Sequence, residues 1–364
     1  MSFRSYFFCF VILLFGLSSC SSSSDNSVKT ILDWDIAKAD LDEYFDEQLA
    51  SKEEKSLSVA LINNGELVYT FHRGLINEAT QKSASDTSRF NLGSGSRPIL
   101  YFFAMTLVED GSLDLDKPLV EYIEVPEIDL DSELKDITAR SVIANKTGLS
   151  MLSSSSDVGI VNYEIEAGAE SSDAEIGLNY LMEAIMEIEQ VDRGQLDSIF
   201  QIRVAIPLGM RSTHFIQSSD SSVLKSDFNL EGNLLDYSNW MIGIMNGVGL
   251  SEENMNTLLD TIILEEEKDS SDLAKIAIGD YEFYTNTGLS DGTSRYFSFD
   301  RNIDWGFIVF SGEHYASELG FAAMLYLVMG SQFNLIVTLT SLLILGLGIG
   351  LVYGIYRFFK FVLN

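Results

Sequence analysis

The chain has 364 residues, with 54 acidic against 23 basic side chains and a formal charge of -31 at pH 7. Phosphate backbones and anionic membrane surfaces are held by clustered bases, so this balance argues against nucleic acid as a main partner and leaves most of the acidity as a solvated surface. With 46% hydrophobic and 11% aromatic residues, the chain is long enough to bury a sizeable core, in one large domain or two closely packed ones.

Residues 1–19 carry one base, Arg4, followed by an apolar run from Tyr6 to Leu17, which is the pattern of a secretory signal. Leu17-Ser18-Ser19-Cys20 is similar to the cleavage box of bacterial lipoproteins, in which the cysteine becomes the lipidated first residue; a plain signal peptide is the alternative. Cys9 would leave with the signal, so Cys20 is the sole cysteine of the mature chain and no intrachain disulfide is possible. The serine-rich stretch that follows makes residues 20–30 a flexible tether to a domain expected over 31–330.

Within that domain, Ser56 to Leu75 has two apolar, β-rich runs around Asn63-Asn64-Gly65-Glu66 and reads as a hairpin. Ser94 to Glu109 reads as a helix, with Pro98 acceptable in its first turn and Gly111 just past its end. Asp136 to Met245 is largely helical in period, interrupted by an acidic, serine-rich stretch from Ser153 to Ser172 that is expected to be an exposed loop. "EFYTNTGLS", "TSRYFSF" and "WGFIVFSG" then predict an antiparallel meander, and Glu313 to Met329 a closing helix. Strands at both ends with helices between predict an α/β fold: one antiparallel sheet, flanked by helices, whose first and last segments meet, with an inserted helical region.

From Leu335 to Tyr356, 22 residues carry no charge. As a helix that run measures about 33 Å, enough to cross a bilayer. A transmembrane helix is therefore expected over 333–358. Arg357 and Lys360 place the tail, 359–364, in the cytoplasm, with the domain on the other side of a bacterial inner membrane. Gly346, Gly350 and Gly354 recur every four residues, a face suited to homodimer packing; glycines merely tolerated in a membrane span explain them equally well.

Several landmarks in the domain occur in a set order. They are the hairpin "VALINNGELVYTFHRGL", "DTSRFNLGSGSRPI", "FAMTLVEDGSLDLDKPLVEYI", "DITARSVIANKTGLS" and "IPLGMRSTHF". Together they resemble the serine β-lactamase and penicillin-binding-protein superfamily, in its branch of class C-like β-lactamases, D-aminopeptidase-like enzymes and esterases. The resemblance covers most of Leu57 to Gly312. It implies a β-lactamase/transpeptidase-like fold and a serine nucleophile at a helix N-terminus, with a neighbouring base to take its proton.

By the resemblance, Ser94 stands at the nucleophile position of the S-x-x-K motif, and Arg97 stands where the lysine base is expected. A guanidinium with a pKa above ~12 holds an anion but does not accept a proton. The second motif, Y-x-N, is degenerate: Asn179 matches its asparagine with Gly177 in the tyrosine's place, and Tyr180 offers a hydroxyl one register away. Intact Y-x-N strings at Tyr237-Ser238-Asn239 and Tyr284-Thr285-Asn286 fall at the wrong points in the order and read as coincidence. The third motif, K-T-G or H-x-G, matches Asn286-Thr287-Gly288, where a neutral amide replaces the cation. The backbone N–H groups of Ser94 and Leu289 would form the oxyanion hole.

His72, His214 and His314 are too scattered for a metal site, no cofactor motif is present, and Lys146 is a remote candidate for a substitute base. Three readings stay open. One is a membrane-tethered domain that has lost hydrolysis and binds a peptidoglycan-type or small acyl ligand or a protein partner. The second is an atypical serine hydrolase using Ser94, and the third a structural membrane protein that self-associates.

Overall fold

The computed structural model describes residues 26–51, 55–77, 79–123, 136–152, 162–165, 174–216, 228–263, 273–290, 293–312 and 315–329. The signal 1–19, Cys20, the expected span 333–358 with Gly346, Gly350 and Gly354, the tail 359–364 and His314 lie outside them. Among the described residues no helix is long and apolar enough to cross a membrane.

The tether expected over 20–30 gives way to structure before its end. Ser27–Lys29 (β1) pairs antiparallel with Asp35–Ala37 (β2), because Val28 and Ile36 both bury against the outer face of the main sheet. Lys38–Ser51 is helix α1, which adds Leu41 and Phe45 to the same layer. Ser56–Asn63 (β3) and Glu66–Asn77 (β4) form the expected hairpin. Asn64 and Gly65 take φ values of 52° and 70°, and two successive left-handed residues make the tight turn that suits twisted antiparallel strands. Lys82–Ser83 (β5) edges that hairpin, and Arg89–Asn91 (β6) leads into a 3-10 turn at Gly93–Gly95 and helix α2, Ser96–Glu109.

Helix α2 is buried from Ser96 to Leu107, so it is the central rod of the helical region rather than a surface helix. Around it lie Ala139–Ile143 (α3), Ala174–Glu189 (α4) and Arg193–Phe200 (α5), with the short pair Leu149–Leu152 (β7) and Asn162–Ile165 (β8) beside α4. Strand β8 falls inside the stretch expected to be an exposed loop; its four residues, Asn-Tyr-Glu-Ile, pair with β7. His214–Phe215 (β9) and Leu230–Asn233 (β10) complete a three-stranded sheet with β6. Leu234–Met245 (α6) and Glu252–Ile262 (α7) follow.

Ala274–Ile278 (β11), Tyr281–Ser290 (β12), Thr293–Asp300 (β13) and Trp305–Ser311 (β14) form the meander, and Ala316–Met329 (α8) closes the domain. The main sheet is antiparallel throughout, with order β11-β12-β13-β14-β3-β4-β5, so the last strand of the meander meets the first hairpin as expected. One face packs on α1 and α8; the other, carrying Phe297, Phe299, Ile308 and Phe310, packs on the helical region. Strand β11, unassigned from sequence, caps the meander. It pairs with β12 only as far as Thr285, whereas β13 follows β12 to Ser290.

Candidate functional site

Ser94 sits in the 3-10 turn that opens α2, beside β12, and neighbours on every side fix the turn. Gly95 N–H donates to the Leu92 carbonyl (2.8 Å), Gly93 N–H to Asn91 Oδ1 (2.9 Å) and Leu92 N–H to the Leu230 carbonyl (2.8 Å). Leu230 N–H in turn donates to Ser96 Oγ (2.9 Å), so the turn is stitched to β10 by both its flanks. From behind, the Tyr237 hydroxyl donates to the Gly95 carbonyl (3.1 Å). Tyr237 is buried against Trp240, Phe297 and Phe310, and burial pushes its phenol well above the ordinary range.

Alternation along β12 turns Tyr284, Asn286 and Gly288 toward this turn, opposite Phe299, Phe297 and Arg295 of β13. Asn286 is 2% exposed. Gly288 has no side chain to offer, and the Arg295 side chain fills the space. Its guanidinium lies between Gly288 and Gly95, so that a Cβ on either glycine would overlap it. Its Nη2 donates to Ser94 Oγ at 2.9 Å. Among the described residues this is the only hydrogen bond of Ser94 Oγ. Arg295 is 3% exposed and its Nε has no hydrogen-bond partner among the described residues. Burial pulls its pKa down to about 10, the nearby Arg97 adds to that shift, and Tyr237 opposes it.

On the other side of Ser94, Arg97 is 8% exposed and lines a small pocket with Gly93, Glu175, Leu178 and Asn179. The open space there is about 10 Å³, no more than one water-sized sphere. Asn179, on α4, therefore reaches the neighbourhood of Ser94, with its Oδ1 buried and without a hydrogen-bond partner among the described residues. Gly177, two residues earlier, packs instead against Val142 and Thr147. Tyr180 is half-buried in the helical core, where burial raises its pKa, and it does not line the pocket. Leu289 is held in the β12–β13 ladder opposite Ser294. Lys146 is exposed and does not line the pocket.

Three residues of this neighbourhood escaped the sequence reading. Glu175 lines the pocket from the first turn of α4, and no motif marks it. Tyr237 stood in a Y-x-N string set aside as coincidence; Asn239 of that string donates to the Gly209 carbonyl, and Tyr237 buttresses the Ser94 turn through the main chain. Arg295 did leave a signal. In "TSRYFSFD" it shares the alternation of Phe297 and Phe299, which puts a charge on a core-facing position.

His72 belongs to a different cluster. Its Nδ1 is 3.0 Å from Ser58 Oγ and its Nε2 2.7 Å from Asp86 Oδ1. Ser58 is only 1% exposed, so this Ser-His-Asp chain presents no nucleophile to solvent. His214 Nε2 lies 3.2 Å from Glu231 on the wall of a larger groove of about 820 Å³, which shares Phe228 with the Ser94 pocket.

A sheet with a serine on the helix beside its β12 edge is an arrangement that comparison with known proteins can place. The family model described as Beta-lactamase matches residues 41–323. The chain belongs to the beta-lactamase family. Solved structures of the same fold include a class C beta lactamase from Rhodobacter sphaeroides, with a TM-score of 0.62 at 15% identity, covering 79% of this chain and 97% of that one. A beta-lactamase/D-alanine carboxypeptidase from Pseudomonas syringae gives 0.64 at 14% identity, covering 81% and 99%. The octameric penicillin-binding protein homologue from Pyrococcus abyssi gives 0.58 at 14% identity, covering 78% and 77%. No curated protein matches the chain. The fold is thus that of a beta-lactamase-like serine hydrolase, and at these identities the structural likeness speaks for fold alone.

Proposed function

We propose that this member of the beta-lactamase family has lost hydrolysis and serves as a binding domain for an acyl or peptide-type ligand or a protein partner at the bacterial cell envelope. In this reading, lipid on Cys20 and the segment 333–358 tether it to the inner membrane, with the domain on the extracytoplasmic side. The observation that carries the proposal is the hydrogen bond from Arg295 Nη2 to Ser94 Oγ. Acylation requires a group that accepts the serine proton as the bond to the acyl carbon forms. Burial lowers the Arg295 pKa but a guanidinium stays cationic at neutral pH, and it donates to the oxygen that must be deprotonated. Arg97, the second guanidinium, has replaced the base one helical turn on, and Asn286 has replaced the third motif's cation. Loss of a positioned base costs on the order of 100- to 10,000-fold in rate.

The fold around the serine supports retained binding. The Ser94 turn is held by five hydrogen bonds from surrounding elements and its own backbone. The test is labelling of the full-length protein in membranes with a fluorescent penicillin and with a fluorophosphonate. No label on folded protein is expected; labelling that Ser94→Ala abolishes would establish the atypical hydrolase instead. Mass spectrometry of the mature N-terminus tests the anchor, with a diacylated Cys20 expected and an unmodified residue at the cleavage point counting against it.

A further inference from the structure

The main sheet has two unlike ends. At one, β12 and β13 pass the Ser94 turn, where Gly288 pairs with Arg295. At the other, the Asn64-Gly65 turn of the first hairpin meets the turn between β13 and β14, Gly65 N–H donating to the Asp304 carbonyl (2.9 Å). Strand β13 spans the distance between them, from Ser294 opposite Ser311 to Asp300 opposite Trp305.

Both routes out of the domain lead from this turn end. Strand β1 is fastened there, since Asn63 Nδ2 donates to the Lys29 carbonyl (3.3 Å). Helix α8 starts at the Ser94 end, with Ala316 N–H donating to Ser294 Oγ (2.9 Å), and then runs with β13: Gly320 packs on the Tyr296 ring and the Tyr296 hydroxyl donates to Met324 Sδ (3.1 Å). Its C-terminus is thereby directed at the turn end. Six residues separate Cys20 from Ser27 in β1, and five separate Met329, the last of α8, from Leu335, where the uncharged run begins. Fully extended, such linkers reach about 20–25 Å. A domain of about 300 residues is roughly 50 Å across. Two tethers of that length keep the turn end close to the bilayer and the Ser94 end away from it.

The side chains at the turn end suit that place. Leu32, in the connection between β1 and β2, is 42% exposed, and Leu67, beside the hairpin turn, is 37% exposed. Val248 is also 37% exposed and lies two residues past Asn246, which sits against Gly65. Trp34, half-buried, shares the connection with Leu32, and tryptophan is favoured at the boundary of water and lipid. One exposed apolar residue is ordinary, but three from separate segments at the end where both tethers leave mark a contact surface.

We propose that the turn end of the sheet is a membrane-contact surface, on which Leu32, Leu67 and Val248 enter the headgroup region of the bilayer while the Ser94 cleft faces away from it. This deepens the envelope role proposed above and rests on its two tethers. Each contact is weak alone, but the tethers make the encounter intramolecular, so a few apolar side chains suffice. The partner is a neutral, zwitterionic lipid surface, because Asp33, Glu66 and Asp304 stand at the same end and would be repelled by anionic lipid.

The test is fluorescence quenching on the full-length protein in phosphatidylcholine vesicles. Leu67→Cys, Val248→Cys and Ser83→Cys each carry a bimane label, and the unsubstituted chain is the blank. Ser83 is exposed on β5 at the Ser94 end, where it pairs with Leu75 next to Gly74 and Ser56. Doxyl-labelled lipid should quench the labels at positions 67 and 248 at least threefold more than the label at 83, with the reverse order for aqueous iodide. Leu32→Ser should lower the lipid quenching at 248 by half or more; Leu32 is exposed, so the variant keeps its fold. Equal lipid quenching at all three positions overturns the proposal. So does shielding of 67 and 248 from iodide without quenching by lipid, which would mean that a second copy of the chain covers this end. Release of the chain from the vesicles by alkali would refute the tethers and this surface with them, whereas a retained chain with unquenched labels refutes the surface alone. Acylation of Ser94 would refute the loss of hydrolysis and leave this surface standing.

Discussion

The glycine at 288 should be tolerant of alanine only when Arg295 is absent. Gly288 is not among the residues with positive φ, so its backbone accepts an L side chain, and the three nearest atoms a Cβ would meet all belong to the guanidinium. A Cβ there would stand 2.6 Å from Arg295 Cζ and 2.7 Å from Nε, where ordinary contact begins at 3.4 Å. Overpacking of this kind costs about 1–3 kcal/mol. Escape of the side chain from the slot forfeits its hydrogen bond to Ser94, worth about 1 kcal/mol, and so sets the lower end of that range. With Arg295→Ala already in place the added methyl enters vacated space, and its cost should fall within about 0.5 kcal/mol of zero. The double-mutant cycle of Gly288→Ala and Arg295→Ala, read from urea unfolding of all four proteins, should therefore give an interaction of about 1–3 kcal/mol. Equal costs in the two backgrounds would mean that the guanidinium does not occupy the slot, and the reasoning about Ser94 would go with it.

Tyr237→Phe removes the only side-chain donor to the Gly95 carbonyl among the described residues; that carbonyl also begins the α2 hydrogen-bond ladder, so one hydrogen bond is lost and no acceptor is left bare. A loss of about 0.5–1.5 kcal/mol in denaturant stability is expected, and no change would show that the brace is idle. Glu109 ties the end of α2 to the start of α7: Oε2 accepts from Ser251 N–H and Oγ (both 2.9 Å) and from Asn254 Nδ2 (2.7 Å). The Ser251 backbone bond, then those of the Asn254 and Ser251 side chains, hold this carboxyl below the usual range. A depressed carboxylate pKa contributes stability above the unfolded value of about 4.3 and loses it as pH falls through the folded value. Unfolding midpoints between pH 3 and 7 should thus drop less steeply at the acid end for Glu109→Gln than for the native chain; parallel curves would rule out a contribution from Glu109.

The sheet was legible because its strands obey simple rules. The Asn64-Gly65 turn announces the hairpin, and the apolar runs of β13 and β14 are bounded by turn residues. Helix α2 was legible from Pro98 and Gly111, yet its near-total burial was not, since an all-round apolar helix carries no face in its periodicity. Strand β8 was hidden by its acidic, serine-rich surroundings, and β11 by its two alanines and a lysine, which give little strand signal. At the site, Ser94, Arg97, Asn179, Asn286 and Gly288 were found by their order along the chain, and the structure gathers them around one turn and one strand edge. Tyr180 was one residue out of register: on a helix, that single step rotates a side chain by about 100° and takes it from the pocket into the core.

Arg295 shows why a motif search and a physical reading can part company. At the motif positions Arg97 is a cation that does not serve as a base and Asn286 is neutral. A further guanidinium reaches the same serine from the neighbouring strand, through two glycines that leave it room. What differs is the direction in which the proton is held. A neutral lysine accepts the hydroxyl's hydrogen, whereas Arg295 donates one of its own, and that difference is the physical basis of the proposal that this chain has lost its base.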